Sequence, residues 1–122
     1  MLQVTPHMRI LLSVEPVDFR KGIDSLVHLC RDVYHTDPFA GIVFVFMNRR
    51  RTSLKILLYD RQGFWLCLKR LSQGRFRRWF RADGRPLRLL AAHELQAVLV
   101  NGNPVGLEAA SAWRQIRPEK GG

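Results

Sequence analysis

From Gly41 onward the sequence is cut into short runs rich in β-branched and aromatic residues, and this rhythm restricts the fold more than any other feature. The runs are 42–48, 54–60, 64–70 and 75–81, and turn-forming segments separate them at 49–53, Arg61-Gln62-Gly63, 71–74 and Asp83-Gly84. Runs of this length with turn chemistry between them fit an antiparallel meander. Residues 86–89, opened by Pro86, read as a short edge strand.

Two segments have a helical period instead. Ahead of the meander, a strand-length run at 10–14 ends at Pro16, and Asp18 stands where a helix cap would. Behind it, Ile23, Leu26, Val27, Cys30, Val33 and Tyr34 recur at three- and four-residue spacing until Asp37-Pro38. A second helix is expected over 90–100, with Ala91, Leu95, Val98 and Leu99 on one side and Gly102 to end it. The expected fold is therefore α+β: a two-layer, mostly antiparallel sheet of four to six strands, a meander, with two helices packed on one face. At 122 residues one domain is expected over 1–122, with an ordered core at about 9–103 and loosely held ends.

Charge is the second constraint. The net charge is +10, and 13 of the 20 Lys and Arg residues lie between Asn48 and Arg88, where the acids are Asp60 and Asp83 alone. One folded segment therefore carries the whole excess, as a surface suited to a polyanion, nucleic acid first. No apolar run approaches a membrane span, the N-terminal stretch lacks the charged start of a signal peptide, and Cys30 and Cys67 sit in apolar patterns as buried thiols. A cytoplasmic protein without membrane contact is expected.

In a meander the first and third turns share an end of the sheet. Arg49, Arg50 and Arg51 should thus lie near 71–74, with Lys69, Arg70 and Arg75 beside them in one basic pole. Along 75–81, alternation puts Arg75, Arg77, Trp79 and Arg81 on one face and Phe76, Arg78 and Phe80 on the other. That strand reads equally as an edge protected by arginines or as a nucleic-acid surface with Trp79 or Phe80 stacking on an exposed base. The candidate nucleic-acid contacts are Arg49, Arg50, Arg51, Lys55, Lys69, Arg70, Arg75, Arg77, Arg78 and Arg81. If about six of them met phosphates, affinity would fall by roughly three powers of ten between low and moderate salt. No recognition helix announces sequence specificity.

No catalytic constellation appears. His93-Glu94 begins a zinc-protease-like spacing, but Ala97 stands in the second ligand's place, and the remaining histidines form no ligand spacing with the cysteines. Glu15, Asp18 and Asp24 gather near the first helix. A cap for Asp18 and a partner, Arg20 or Lys21, for Glu15 explain them without a nuclease site. No metal, no cofactor and no enzymatic activity are expected.

Several ordered segments carry a family likeness. Glu15-Pro16-Val17-Asp18-Phe19-Arg20-Lys21-Gly22-Ile23-Asp24, Asp37-Pro38-Phe39-Ala40-Gly41, Phe46-Met47-Asn48-Arg49-Arg50, Lys55-Ile56-Leu57-Leu58-Tyr59-Asp60 and Lys69-Arg70-Leu71-Ser72-Gln73-Gly74-Arg75-Phe76 closely resemble the TnpB accessory proteins of the bacterial insertion-sequence family numbered sixty-six, over about residues 8–102. The resemblance implies a small helper encoded beside a separate, larger transposase, with no active-site residues to carry over. The sequence departs from the family's pattern at Arg51, where Gly is frequent, at Ala91, where a capping Ser or Thr is usual, and at Arg78-Trp79-Phe80, where a Trp-Pro is common.

Together these readings lead to a non-catalytic accessory protein for DNA transposition. It would bind DNA, transposon ends foremost, through the basic surface and assist the transposase of the same element. The alternative is a protein-interaction module that docks the transposase without touching DNA. RNA is a third candidate partner, and an uncovered edge strand would favour a homodimer.

Overall fold

The apolar runs at 10–12 and 43–47 have no polar alternation, so strands made from them need cover on both faces. The computed structural model, which describes residues 8–77 and 84–101, provides that cover. Strand β1 (Ile10–Ser13) leads to helix α1 (Ile23–His28), continued by a π-helical segment, Leu29–Val33. Strands β2 (Val43–Met47), β3 (Ser53–Tyr59), β4 (Phe64–Arg70) and β5 (Leu87–Leu90) follow, and then helix α2 (Ala92–Asn101).

The strands form one sheet in the order β4-β3-β2-β1-β5. β1 and β2 are parallel, Leu11 opposite Phe44, and α1 lies on the connection between them. The other pairings are antiparallel, so the sheet is mostly antiparallel and the fold is α+β, as expected.

The helices are not on one face, however, and the sheet is not one layer of two. Leu26, Val27 and Cys30 of α1 and its continuation pack with Leu11, Phe44, Phe46 and Leu57. Leu95 and Val98 of α2 pack with Ile10, Leu12, Val43, Val45, Leu54 and Ile56. Successive strand residues point to opposite faces, so these are the two sides of the sheet, and the arrangement has three layers. All five residues of β2 are buried. Each large side chain so removed from water contributes about 2 kcal/mol, which is why the central strand is apolar throughout.

Three further expectations need correction. First, 42–70 is the meander, but among the described residues it does not continue: 75–77 is not a strand, and 78–81 lie outside the described residues. Gly74 has φ +75° and turns the chain, Phe76 is buried on the α2 face, and its N–H donates to the Arg51 carbonyl at 2.6 Å. The next strand, β5, closes the opposite edge against β1, placing the expected edge strand of 86–89 at 87–90. Second, Asp18 does not cap α1. It closes a turn before the helix, accepting the Arg20 N–H at 2.9 Å, and the helix begins after Gly22. Third, the partner of Arg20 is Asp18 and not Glu15.

Helix α2 begins two residues later than expected, at Ala92, because Leu90 belongs to β5. Ala91 accepts the first helical N–H groups, from Glu94 and Leu95, and Glu94 Oε1 accepts the Ala91 N–H at 2.8 Å. This is half of a capping box, with the side-chain acceptor missing at Ala91. Both cysteines are free. Cys30 is buried, its thiol pushed up to about 12 by desolvation, whereas Cys67 is half-buried on β4, contrary to the expectation that both are buried. Gly102 lies outside the described residues.

Candidate nucleic-acid interface

The site begins at the turn between β2 and β3, where Asn48 supplies most of the local order. Its Oδ1 accepts the N–H groups of Thr52 and Ser53 at 2.9 and 3.1 Å, and its Nδ2 donates to Thr52 Oγ1 at 3.0 Å. With the backbone held from within, Arg49 and Arg50 project into solvent. Arg51 takes the left-handed conformation, φ +63°. Glycine adopts that region without penalty, whereas a residue with a Cβ is strained there.

The turn after β4 meets this one, as meander geometry requires. The Leu71 N–H donates to Thr52 O at 2.9 Å, and Arg51 Nη1 reaches Phe76 O at 3.4 Å. Segments some twenty residues apart thereby share one end of the sheet.

A third segment joins them from the α1 face. The Val17 N–H donates to Met47 O at 3.0 Å, tying the loop before α1 to the end of β2. Lys55 on β3 clamps that loop: its Nζ donates to Phe19 O at 2.9 Å and Lys21 O at 2.8 Å, and it sits 4.9 Å from the centroid of the Phe19 ring. Two of its three ammonium donors are thus committed to the fold.

Between the loop, the turn and the ends of β3 and β4 runs an open groove of about 910 Å³. Arg20, Arg49, Arg50, Lys55 and Arg70 line it, with Asn48, Thr52, Ser53, Phe19 and Leu68 between them. The lone carboxylate, Asp18, is already neutralised. Arg20 donates to it from Nε at 3.0 Å and Nη2 at 2.7 Å, and these bonds, with the Arg20 N–H, hold its carboxyl down to about 2. Asp18 in turn raises the Arg20 guanidinium. Among the described residues Arg49, Arg50 and Arg70 form no ion pair.

Of the ten expected contact residues, the structure brings Arg49, Arg50, Lys55 and Arg70 into the groove. Arg51 is at the same end, engaged with Phe76 O. Lys69 is not in the groove, because on β4 it points to the other face, where its Nζ donates to Leu99 O in the last turn of α2. Arg75 and Arg77 are exposed on the segment after β4. Arg78, Trp79, Phe80 and Arg81 lie outside the described residues.

Charge counting missed Arg20, Asn48 and Leu68. The first two stand in the quoted motifs Asp18-Phe19-Arg20-Lys21-Gly22 and Met47-Asn48-Arg49-Arg50, and the groove is where those motifs converge. Leu68 gave no signal, since an apolar residue in a strand reads as core; here it is 62% exposed.

Among the described residues no three His, Cys, Asp or Glu side chains gather as a metal site, and no helix is long and apolar enough to cross a membrane.

Comparison with known proteins gives four findings. The family model described as IS66 Orf2 like protein matches residues 8–106. The uncharacterized protein y4jC of Sinorhizobium fredii is 38% identical over 69 residues, which is 57% of this chain and 59% of that protein. The uncharacterized protein y4hO of the same organism is 36% identical over 84 residues, 69% of this chain and 72% of that protein. The match to y4jC thus spans less than two thirds of that relative's length. No solved structure matches the chain.

Proposed function

Since the chain belongs to the IS66 Orf2-like family, whose members are transposition-associated accessory proteins, we propose that it is a non-catalytic helper that holds DNA of the element in its basic groove, within reach of a separate transposase. The observation that carries this reading is convergence. Five cations from the loop before α1, the β2–β3 turn, β3 and β4 line one groove, and its one carboxylate is already bound to Arg20.

The chemistry suits a phosphate backbone. Guanidinium groups on a fixed turn contact phosphates without reading sequence. With Lys55 largely committed to the loop, four to five phosphate contacts are available, for a salt slope of log K against log salt of about −4. The transposon ends are the DNA that the setting supplies.

The test is a salt titration of binding to transposon-end duplex. Arg49→Glu, Arg50→Glu and Arg70→Glu together should abolish the shift and flatten the slope. Unchanged affinity in that variant would remove the groove as the DNA site.

The exposed Leu68 in the groove favours a second reading, a surface that docks an acidic region of the transposase. Copurification from nuclease-treated extract separates the two. Direct docking keeps the transposase, and a DNA bridge loses it.

A further inference from the structure

Among the described residues strand β4 forms one edge of the sheet, and the phase of its ladder decides which backbone groups face outward. The Asp60 N–H to Gly63 O bond and the Leu71 N–H to Thr52 O bond close the two ends of the β3–β4 ladder, with an unbroken register between them. Antiparallel pairs alternate between hydrogen-bonded and non-hydrogen-bonded. Trp65, Cys67 and Lys69 therefore turn their N–H and C=O groups to β3, and Phe64, Leu66, Leu68 and Arg70 turn theirs to the open edge.

The same strand holds large apolar side chains in solvent, Trp65 at 52% and Leu68 at 62% exposure. Its order is also self-complementary. Aromatic residues come first (Phe64, Trp65), apolar residues occupy the middle (Leu66, Cys67, Leu68), and cations end it (Lys69, Arg70).

We propose that β4 pairs antiparallel with β4 of a second copy of this chain, about a two-fold axis at Cys67. In this register Leu66 of one copy faces Leu68 of the other, Trp65 faces Lys69, Phe64 faces Arg70, and Cys67 faces Cys67. Leu66/Leu68 and Phe64/Arg70 fall at hydrogen-bonded positions, where the outward groups are. Trp65/Lys69 and Cys67/Cys67 fall at the close, non-hydrogen-bonded positions. Each cation meets an aromatic ring instead of another cation. Cys67 is the midpoint of 64–70, so this register pairs the full strand, whereas a register centred on Lys69 shortens the ladder and sets like charges opposite each other.

The axis is perpendicular to the sheet, so the α1 faces of both copies lie on the same side. Arg70 and Leu68, which line the groove, are then next to the junction, and two grooves lie side by side. The pairing does not depend on what the groove binds, and its test contains no nucleic acid.

The experiment uses the full chain at moderate salt, where repulsion between two basic copies is screened. Sedimentation should show a concentration-dependent dimer. Mild oxidation with copper–phenanthroline should link the copies through Cys67, with the link kept in Cys30→Ala and lost in Cys67→Ala. In the Cys67→Ala background, mixing Trp65→Cys protein with Lys69→Cys protein should give far more cross-link than either alone, which random collision would not do. Leu68→Pro removes an outward N–H while sparing the ladder to β3, so it should yield a folded monomer. A chain that stays monomeric at its highest soluble concentration, a mixture that cross-links no better than its components, or a folded Leu68→Pro dimer would overturn the proposal.

Discussion

The turns at the two ends of β3 are built by the same device and differ in charge. At one end Asn48 Oδ1 accepts the N–H groups of Thr52 and Ser53. At the other, Asp60 Oδ1 accepts those of Gln62 and Gly63, both at 3.0 Å, and its Oδ2 accepts the Trp65 indole N–H at 2.7 Å. Each turn also holds an arginine in the left-handed region, Arg51 at φ +63° and Arg61 at φ +83°. The acceptor is a neutral amide beside three arginines in the first turn and a carboxylate beside one in the second. Local backbone order is thus supplied equally at both ends, while uncompensated positive charge gathers at one. A cationic pole requires a turn that can be ordered without an acid, and asparagine is the residue that allows it.

The largest effect should come from removing the neutral acceptor. Asn48→Ala leaves two partly buried N–H groups without their partner, which should cost about 2 kcal/mol in denaturant unfolding. It should also weaken DNA binding by loosening the turn that carries Arg49 and Arg50. Unfolding at the wild-type midpoint would mean that the turn is ordered by its contacts with 71–76 alone.

Exchanging the two acceptors should separate order from charge. Asn48→Asp keeps the Oδ1 acceptor and places a carboxylate in the groove, so stability should hold while the salt slope falls by about one. Asp60→Asn should leave DNA affinity unchanged. It should also free the Trp65 indole, visible as a change in fluorescence. A loss in Asn48→Asp matched by an equal gain in Asp60→Asn would show that net charge governs binding and the groove does not.

Much of this contrast was legible in the sequence, for identifiable reasons. The turns at 49–53 and 61–63 interrupt clear apolar runs, so β2, β3 and β4 follow, and with them the meeting of Arg49–Arg51 with 71–76. Layering was misread although its signal was present: the uninterrupted runs at 10–12 and 42–47 meant burial from both sides. The segment after β4 alternates Arg with Phe as a strand would, yet a single buried ring, Phe76, needs no strand to carry it. Strand alternation likewise decides which cations share the groove. Lys55 and Arg70 point to the α1 face and Lys69 to the other, a difference hidden while the strands' faces were unassigned.

Two substitutions should produce smaller, stabilising effects, one within the cationic turn and one far from it. Arg51→Gly relieves a left-handed side-chain residue, worth about 1 kcal/mol, less the entropy that glycine gains in the unfolded chain. The net gain should be about 0.5 kcal/mol, with a small loss of DNA affinity. Ala91→Ser completes the capping box with Glu94 and should add about 1 kcal/mol while leaving DNA binding untouched. A stabilised Ala91→Ser protein with altered DNA affinity would tie the groove to α2.

The finest distinction between the two turns is their response to acid. Hydrogen bonding from the Trp65 indole, then from the Gln62 and Gly63 N–H groups, lowers the Asp60 carboxyl below its ordinary value. A carboxyl lowered in the folded state contributes stability that is present above its unfolded pKa, about 4, and lost as pH falls through the lower folded value. The Asp60 turn should therefore loosen as pH falls below about 4, and the Asn48 turn, which contains no such group, should not. Amide exchange, expressed as protection relative to the unfolded rates, should fall at Gln62 and Gly63 over that range while Thr52 and Ser53 hold. Asp60→Asn should remove the difference. Equal loss of protection in both turns would mean that acid acts on the sheet as a whole, and that the carboxylate has no separate part in ordering its own end.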